Sequence, residues 1–218
     1  MRLYHYKNEE SPAAPRWRDG DETGSFFNSA LTDYIEKSGR RVPAPLLGGG
    51  SPAIGKGAYG KPFFSDPWFE GIFFSLAHTR GYLLLCFSDG ETGVDCENTA
   101  ARPGIDSRYA RIAERCFTDD ELAYVAAGTG GRAGAAGIAG ITGIAGAAGT
   151  AGAVMRFFEI WTAKEAYMKY TGKGFAEGFK SFSVFGVPGV GFETGRLDGA
   201  PHVVYTVCNG RERGVSEA

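Results

Sequence analysis

Apolar positions along the chain follow two spacings. Phe26, Phe27, Ala30, Leu31 and Tyr34 recur at helical intervals, which predicts a short helix over 25–37, ended by Gly39. The Gly/Pro-rich stretch 42–62 reads as a loop. Residues 72–76 (IFFSL) and 82–87 (YLLLCF) are short apolar runs and predict strands. Asp89-Gly90 is a turn signal, so 93–97 (GVDCE) reads as the next strand of a hairpin. One helix is expected at about 107–115. Another starts at Thr118, where Thr118-Asp119-Asp120-Glu121 has the form of a capping box. Residues 154–171 carry the best helical pattern, with Val154, Phe157, Phe158, Trp161 and Met168 on one broad face and Gly172 and Gly174 closing the helix. Short strands are expected at 181–185 and 202–207. Strands and helices are segregated rather than strictly alternating, which favours an α+β fold.

One stretch breaks the pattern. Glycine recurs at every third residue from 128 to 152. Collagen shares that period, but its chains depend on imino residues and this stretch contains no proline. It reads as a low-complexity insertion with no fold of its own.

Composition narrows the function classes. The chain has 218 residues, enough for one large domain or two small ones. Its 23 Lys and Arg against 25 Asp and Glu leave a net charge of −2. Binding along a phosphate backbone needs a basic surplus, so nucleic acid is not expected as a partner. Cys86, Cys96, Cys116 and Cys208 form no CxxC pair and show no zinc-finger spacing, and Cys86 and Cys96 fall in apolar runs. The opening MRLYHYKNEE lacks the apolar core of a signal peptide. The longest apolar run, Tyr82 to Phe87, is far too short to span a membrane. Together these point to a cytoplasmic protein that does not enter the membrane.

The chemistry-bearing candidates are acids and lysines. On a strand, alternate residues share a face, so Asp95 and Glu97 point away from Val94 and Cys96. Adjacent carboxylates raise each other's pKa, and an oxygen-seeking cation relieves that cost. The wet face of a half-buried strand explains the pair equally well. Glu165 lies four residues after Trp161 and three before Met168, on the edge of the apolar helix face. A carboxylate there needs a partner. Lys169, one turn on, is one candidate, and a metal shared with Asp95 and Glu97 is another. His78 sits at a strand–loop junction, where a structural role competes with a functional one. Gly55 to Lys61 matches the first seven positions of a P-loop, but Pro62 stands where Ser or Thr should, and neither strand nor helix flanks it.

Several segments together resemble a known family. Gly60-Lys61-Pro62, FSLAHT at 74–79, GVDCE at 93–97, FTDDEL at 117–122 and WTAKEAYMKYTGKG at 161–174 occur in that order. They are similar to the signature of Sfp-type 4′-phosphopantetheinyl transferases, of the holo-acyl-carrier-protein synthase superfamily. The likeness runs from about residue 55 to about 185, with the glycine repeat interrupting it. It implies two similar halves about a pseudo-twofold axis, each a small antiparallel sheet packed with helices, divided into 1–90 and 91–218. It implies coenzyme A as co-substrate, Mg²⁺ (or Mn²⁺) as metal, an acyl or peptidyl carrier protein as partner, and a monomer. It assigns Asp95, Glu97 and Glu165 to the metal. Lys61 and His78 would contact the nucleotide and its 3′-phosphate, and Lys164 and Lys169 would lie near the pyrophosphate. Glu165, Lys169 and Asp95 would be the catalytic group. Glu121 matches an acidic position of the family, though its place in the capping box accounts for it equally. Ala77 stands where the family has Ser and Ser75 where it commonly has Asn, so a decayed, non-catalytic binding module is the rival class. Arg16 and Arg18 are candidates for the nucleotide by charge.

Overall fold

A computed structural model describes residues 1–8, 20–100, 107–127 and 151–210. Most of the glycine repeat, and with it Arg16 and Arg18, lies outside the described residues. The described segments form two three-stranded antiparallel sheets and a two-stranded ribbon, covered by helices. This is the mixed α+β architecture that the segregation of elements predicts.

The first sheet has the order β1-β5-β4, from β1 (Arg2–Lys7), β4 (Phe73–Thr79) and β5 (Tyr82–Ser88). The second has the order β6-β8-β7, from β6 (Thr92–Asn98), β7 (Val190–Leu197) and β8 (Ala200–Gly210). The connectivity is the same in both. A strand leads into helix, a hairpin follows, and the last strand inserts in the middle. β2 (Ile54–Lys56) and β3 (Pro62–Phe64) make the ribbon.

Helix α1 (Glu22–Lys37) starts where Asp21 accepts from the amides of Thr23 and Gly24, at 2.8 and 3.1 Å. That satisfies two of the free N–H groups of its first turn. Its Phe27, Leu31, Tyr34 and Ile35 are buried against Phe74, Leu85 and Phe87 on the outer face of the first sheet. Each such side chain contributes about 1.5–3 kcal/mol by leaving water. α2 (Ala44–Leu47) is a single turn beside this cluster. Helices α3 (Ser107–Cys116), α4 (Asp119–Ala127) and α5 (Ala151–Thr171) bury a second cluster, around Phe117, Phe157 and Phe158, which reaches Val204 of β8. The inner faces of the two sheets share a third cluster, in which Ala77, Leu84 and Cys86 meet Val94, Cys96, Val203 and Val207. β5 is buried along its whole length, which is why it reads as an unbroken apolar run.

The sheets are also joined by hydroxyls. Ser75 Oγ accepts from the Val94 amide at 3.0 Å, and Thr79 Oγ accepts from the Asn98 amide at 2.9 Å. Both contacts step four residues along each strand, so β4 and β6 run side by side in the same direction. The hydroxyls supply edge amides of β6 with the acceptors that a ladder partner would otherwise provide.

Three expectations need correction. β6 does not form a hairpin with β5. It pairs with β8, and the hairpin is β4–β5, turned at Arg80-Gly81 with Gly81 at φ 79°. The turn signal at Asp89-Gly90 is a passage between sheets instead: Asp89 accepts from Tyr34 Oη at 2.9 Å and pairs with Arg40 at 3.1 Å. Residues 181–185 are not a strand. A single 3₁₀ turn covers Phe179–Ser181, and Ser183 and Val184 bond to acids of α4. The 42–62 stretch is not loop throughout, since it contains α2 and β2 and leads into β3.

Candidate active site

The contact between β6 and α5 depends on a residue with no side chain. A Cβ added at Gly93 would lie 2.0 Å from the Ala166 carbonyl oxygen and 2.5 Å from the Tyr170 nitrogen. Only glycine allows the backbones of strand and helix to come this close. Ala166, fully buried, keeps the helix side equally flat. This close approach brings Asp95, two residues along β6, to Lys169, three residues along α5.

Asp95 Oδ1 and Lys169 Nζ are 2.8 Å apart. The acid is nearly buried, while the lysine side chain keeps 32% of its exposure. Burial pushes the Asp95 carboxyl up from its ordinary value, opposed by the Lys169 charge and hydrogen bond and by the Cys96 amide. Burial would lower Lys169, but the charge and hydrogen bond of Asp95 outweigh it, so the ammonium is held above its usual range. Glu165, one turn before Lys169, is pushed up to about 7, first by burial and then by the charges of Asp95 and Glu97. Lys169 partly offsets the rise. Glu97 is half-buried on the same face of β6 as Asp95. His78 is exposed on β4, and its charge reaches Asp95 and favours the ionised carboxylate. The structure therefore gathers Asp95, Glu97 and Glu165 into one electrostatic neighbourhood, with Lys169 as its counter-ion. Among the described residues, no three His, Cys, Asp or Glu side chains stand close enough to form a ready-made metal site.

Glu165, Met168 and Lys169 line one wall of a cleft of about 300 Å³. The other wall is Phe74, Ser75 and Leu76 of β4, together with Tyr59 to Pro62 of the ribbon. Its volume is at the small end for ligand sites. Lys61 reaches into it from the start of β3, where its ammonium is bonded to Glu91 and to the Tyr170 carbonyl, the latter at 2.8 Å. The Gly55–Lys61 stretch crosses a β-ribbon, not the strand–loop–helix of a P-loop, so that reading has no structural support.

Lys164 lies elsewhere. Its side chain has no exposed surface. Its ammonium pairs with Glu121 at 2.9 Å, donates to the carbonyls of Phe179 and Phe182 at 2.6 and 2.8 Å, and sits 4.3 Å from the Phe182 ring centre. Glu121 also accepts from the amides of Thr118 and Val184, both at 2.8 Å. The Glu121 half of the capping box is present, and the same carboxylate anchors a buried lysine. This pair locks α4, α5 and the 179–184 segment together and does not face the cleft. Burial lowers the Lys164 pKa, and the Glu121 hydrogen bond and charge oppose that.

The residue-by-residue reading passed over Gly93 and Glu91, and named Ser75 only as a departure from the family and Met168 only as part of the apolar face. Gly93 had a visible signal, because glycine is costly inside a strand and marks a close approach. The other three become recognisable only from their spatial neighbours.

Residues 91–210 match the family described as the 4′-phosphopantetheinyl transferase superfamily. The chain is 29% identical over 123 residues to a protein of Synechocystis sp. provisionally named a 4′-phosphopantetheinyl transferase, an alignment covering 56% of this chain and 40% of that one. It is 28% identical over 127 residues to a 4′-phosphopantetheinyl transferase of Aneurinibacillus migulanus, covering 58% and 41%. Less than half the length of either relative is therefore matched. The matched family segment spans β6, the α5 helix and the β7–β8 hairpin, which carry Asp95, Glu97, Glu165 and Lys169, and on that match the chain belongs to the 4′-phosphopantetheinyl transferase superfamily.

Proposed function

We propose that this chain transfers the 4′-phosphopantetheine arm of coenzyme A to a serine of an acyl or peptidyl carrier protein, releasing adenosine 3′,5′-bisphosphate. The observation that carries the reading is Glu165 and Lys169 at the wall of a cleft that Lys61 also enters, with Asp95 bonded to Lys169 behind that wall.

The reaction joins the serine oxygen to the β-phosphorus and breaks the bond from that phosphorus to the bridging oxygen. It needs charge neutralisation and alignment more than covalent help. Glu165, raised to about 7, suits a general base near neutral pH and would accept the serine proton. The Lys169 ammonium would balance charge on the departing bisphosphate. Lys61 supplies a second positive charge in the cleft, and Glu91 and the Tyr170 carbonyl hold it in place. His78, exposed at the end of β4, is the proposed contact for the 3′-phosphate.

The donor set suits a hard divalent cation. It is made of carboxylates, one of them raised to about 7 by its neighbours, and Asp95 already grips a positive charge in the form of Lys169. Asp95, Glu97 and Glu165 are the residues that would hold Mg²⁺ or Mn²⁺, and their side chains would have to close up to do so, since they do not stand together as a three-acid site. Bound there, the ion would supply Lewis-acid stabilisation of the pyrophosphate.

The test is mass spectrometry of several apo-carrier proteins incubated with the protein, Mg²⁺ and coenzyme A. A mass gain of one phosphopantetheine arm on a carrier is expected. No gain on any carrier, with the protein folded, would favour the decayed binding module.

A further inference from the structure

Lys61 joins the two walls of the cleft. Its backbone lies on the ribbon wall, just before β3, and its ammonium is bonded to the Tyr170 carbonyl at 2.8 Å, at the end of α5. That carbonyl is one of the last four of the helix, where a cation is favoured. The same ammonium is bonded to Glu91, in the passage between the two sheets. The lysine stem lies along Gly172, where an added Cβ would stand 3.1 Å from Lys61 Cδ. Gly172, at φ 68°, donates to the Met168 carbonyl at 3.0 Å, so one glycine both ends α5 and leaves room for the lysine. The base of the ribbon is anchored in the core by Phe64, packed against Phe27, Phe69 and Phe74. Its tip, residues 57–60, is exposed. Among the described residues, the polar ties from 57–61 to the rest of the chain are those of the Lys61 ammonium.

We infer that Glu91 is a positioning residue for the cleft: through Lys61 it pins the tip of the ribbon to α5 and holds the ammonium ready for a phosphate of the substrate. The inference rests on the reading of the cleft as a coenzyme A site. An ammonium has three N–H donors. Glu91 and the Tyr170 carbonyl take two among the described residues, and the third serves a phosphate oxygen. A loose lysine stem gives up rotamer freedom when a ligand fixes it, and a stem already held does not. The neutral carbonyl is the weaker hold, whereas both partners of the bond to Glu91 are charged. Glu91 also repels an approaching phosphate. Its side chain is 52% exposed, so water and salt screen that repulsion, while the Lys61 side chain is 20% exposed and stays fixed. Holding the lysine therefore outweighs repelling the ligand.

The test compares the full wild-type chain with Glu91→Ala, Glu91→Gln, Lys61→Met and the double variant Glu91→Ala with Lys61→Met. Coenzyme A binding is read by calorimetry, turnover by carrier modification, and the ribbon by hydrogen exchange without ligand. Glu91→Ala should weaken coenzyme A binding about tenfold and leave kcat at saturating coenzyme A within about twofold. Glu91→Gln keeps an acceptor for Lys61 and should recover part of the loss. In the Lys61→Met background, Glu91→Ala should add nothing. Glu91→Ala and Lys61→Met should each speed exchange of the ribbon amides about tenfold and leave those of β5 unchanged. Tighter coenzyme A binding in both Glu91 variants would show that the carboxylate only masks the lysine charge, and would overturn the inference. Unchanged binding beside faster ribbon exchange would reduce the tie to a structural one and overturn it too. Coenzyme A bound by the wild type without modification of any carrier would overturn the transfer reading alone, because the binding comparison still decides the role of Glu91. Failure of the wild type to bind coenzyme A would overturn both.

Discussion

Two lysines on one helix form ion pairs of opposite character. Lys164 and Glu121 are both fully buried, and each is bonded on every side. Lys169 and Asp95 are partly open, with two more acids nearby and a cleft in front. A saturated pair has no capacity left for a ligand, and breaking it exposes an uncompensated buried charge. A pair at the rim of a cleft is within reach of a ligand, and perturbed groups facing a cleft mark functional sites. Charge and burial alone do not separate structural from reactive pairs. The balance of partners around each pair does.

The sharpest break in this comparison is catalytic. Asp95→Ala and Glu165→Ala should each lower carrier modification by about 10³-fold or more, measured as kcat/KM by mass spectrometry. The thermal midpoint of either variant should stay within a few degrees of wild type. Wild-type turnover in either one would remove the open pair from the mechanism.

The closed pair should behave in the opposite way. Lys164→Met leaves Glu121 buried without its counter-ion and should cost about 3–5 kcal/mol in urea unfolding. The fraction that remains folded should keep a near-normal KM for coenzyme A. A raised KM at unchanged stability would place Lys164 in the site instead.

Gly93→Ala tests the seam that brings the open pair together. Its methyl would meet backbone atoms at 2.0 and 2.5 Å, which cannot yield as a side-chain tip would. A loss of about 2–4 kcal/mol is expected in chemical denaturation, with activity falling as α5 shifts from β6.

The smallest effect is a pH signature. Glu165 has an ordinary value of 4.5 and is raised to about 7 in the folded chain. Below pH 4.5 both states are protonated. Between 4.5 and about 7 the unfolded chain ionises first, so the fold loses stability as pH rises and regains none above that. Glu165→Gln removes this cost. It should therefore be more stable than wild type at pH 8, on the order of 1–2 kcal/mol after allowing for partial exposure, with a smaller gain near pH 5. An equal gain at both pH values would show that the carboxyl is not perturbed.

Much of this could be read from the chain before folding. Elements with strong periodicity, α1, β4, β5 and α5, fall within a few residues of their expected places. β1 and β7 went unread because their mixed burial leaves no clean alternation. The ribbon β2–β3 went unread because it is two strands of three residues in a Gly/Pro-rich stretch. The strand expected at 181–185 failed because Phe182 and Val184 serve the buried lysine and the helical cluster rather than a sheet.

α5 shows the limit most clearly. Spacing puts Glu165 at the edge of the apolar stripe, and the structure places it half-buried at the cleft. The same spacing puts Lys164 three residues after Trp161 and four before Met168, in the middle of the stripe, while the family resemblance assigned it to the pyrophosphate. By itself the sequence determined the helix–strand segregation, the acids and lysines available, and the glycine that allows strand and helix to touch. Tertiary structure decided which lysine became a strut and which a cleft-lining partner of Asp95. That outcome depends on how many acceptors converge on each ammonium, and those acceptors come from segments distant in the chain: Glu121 and the Phe179 and Phe182 carbonyls for one, Asp95 and the open cleft for the other.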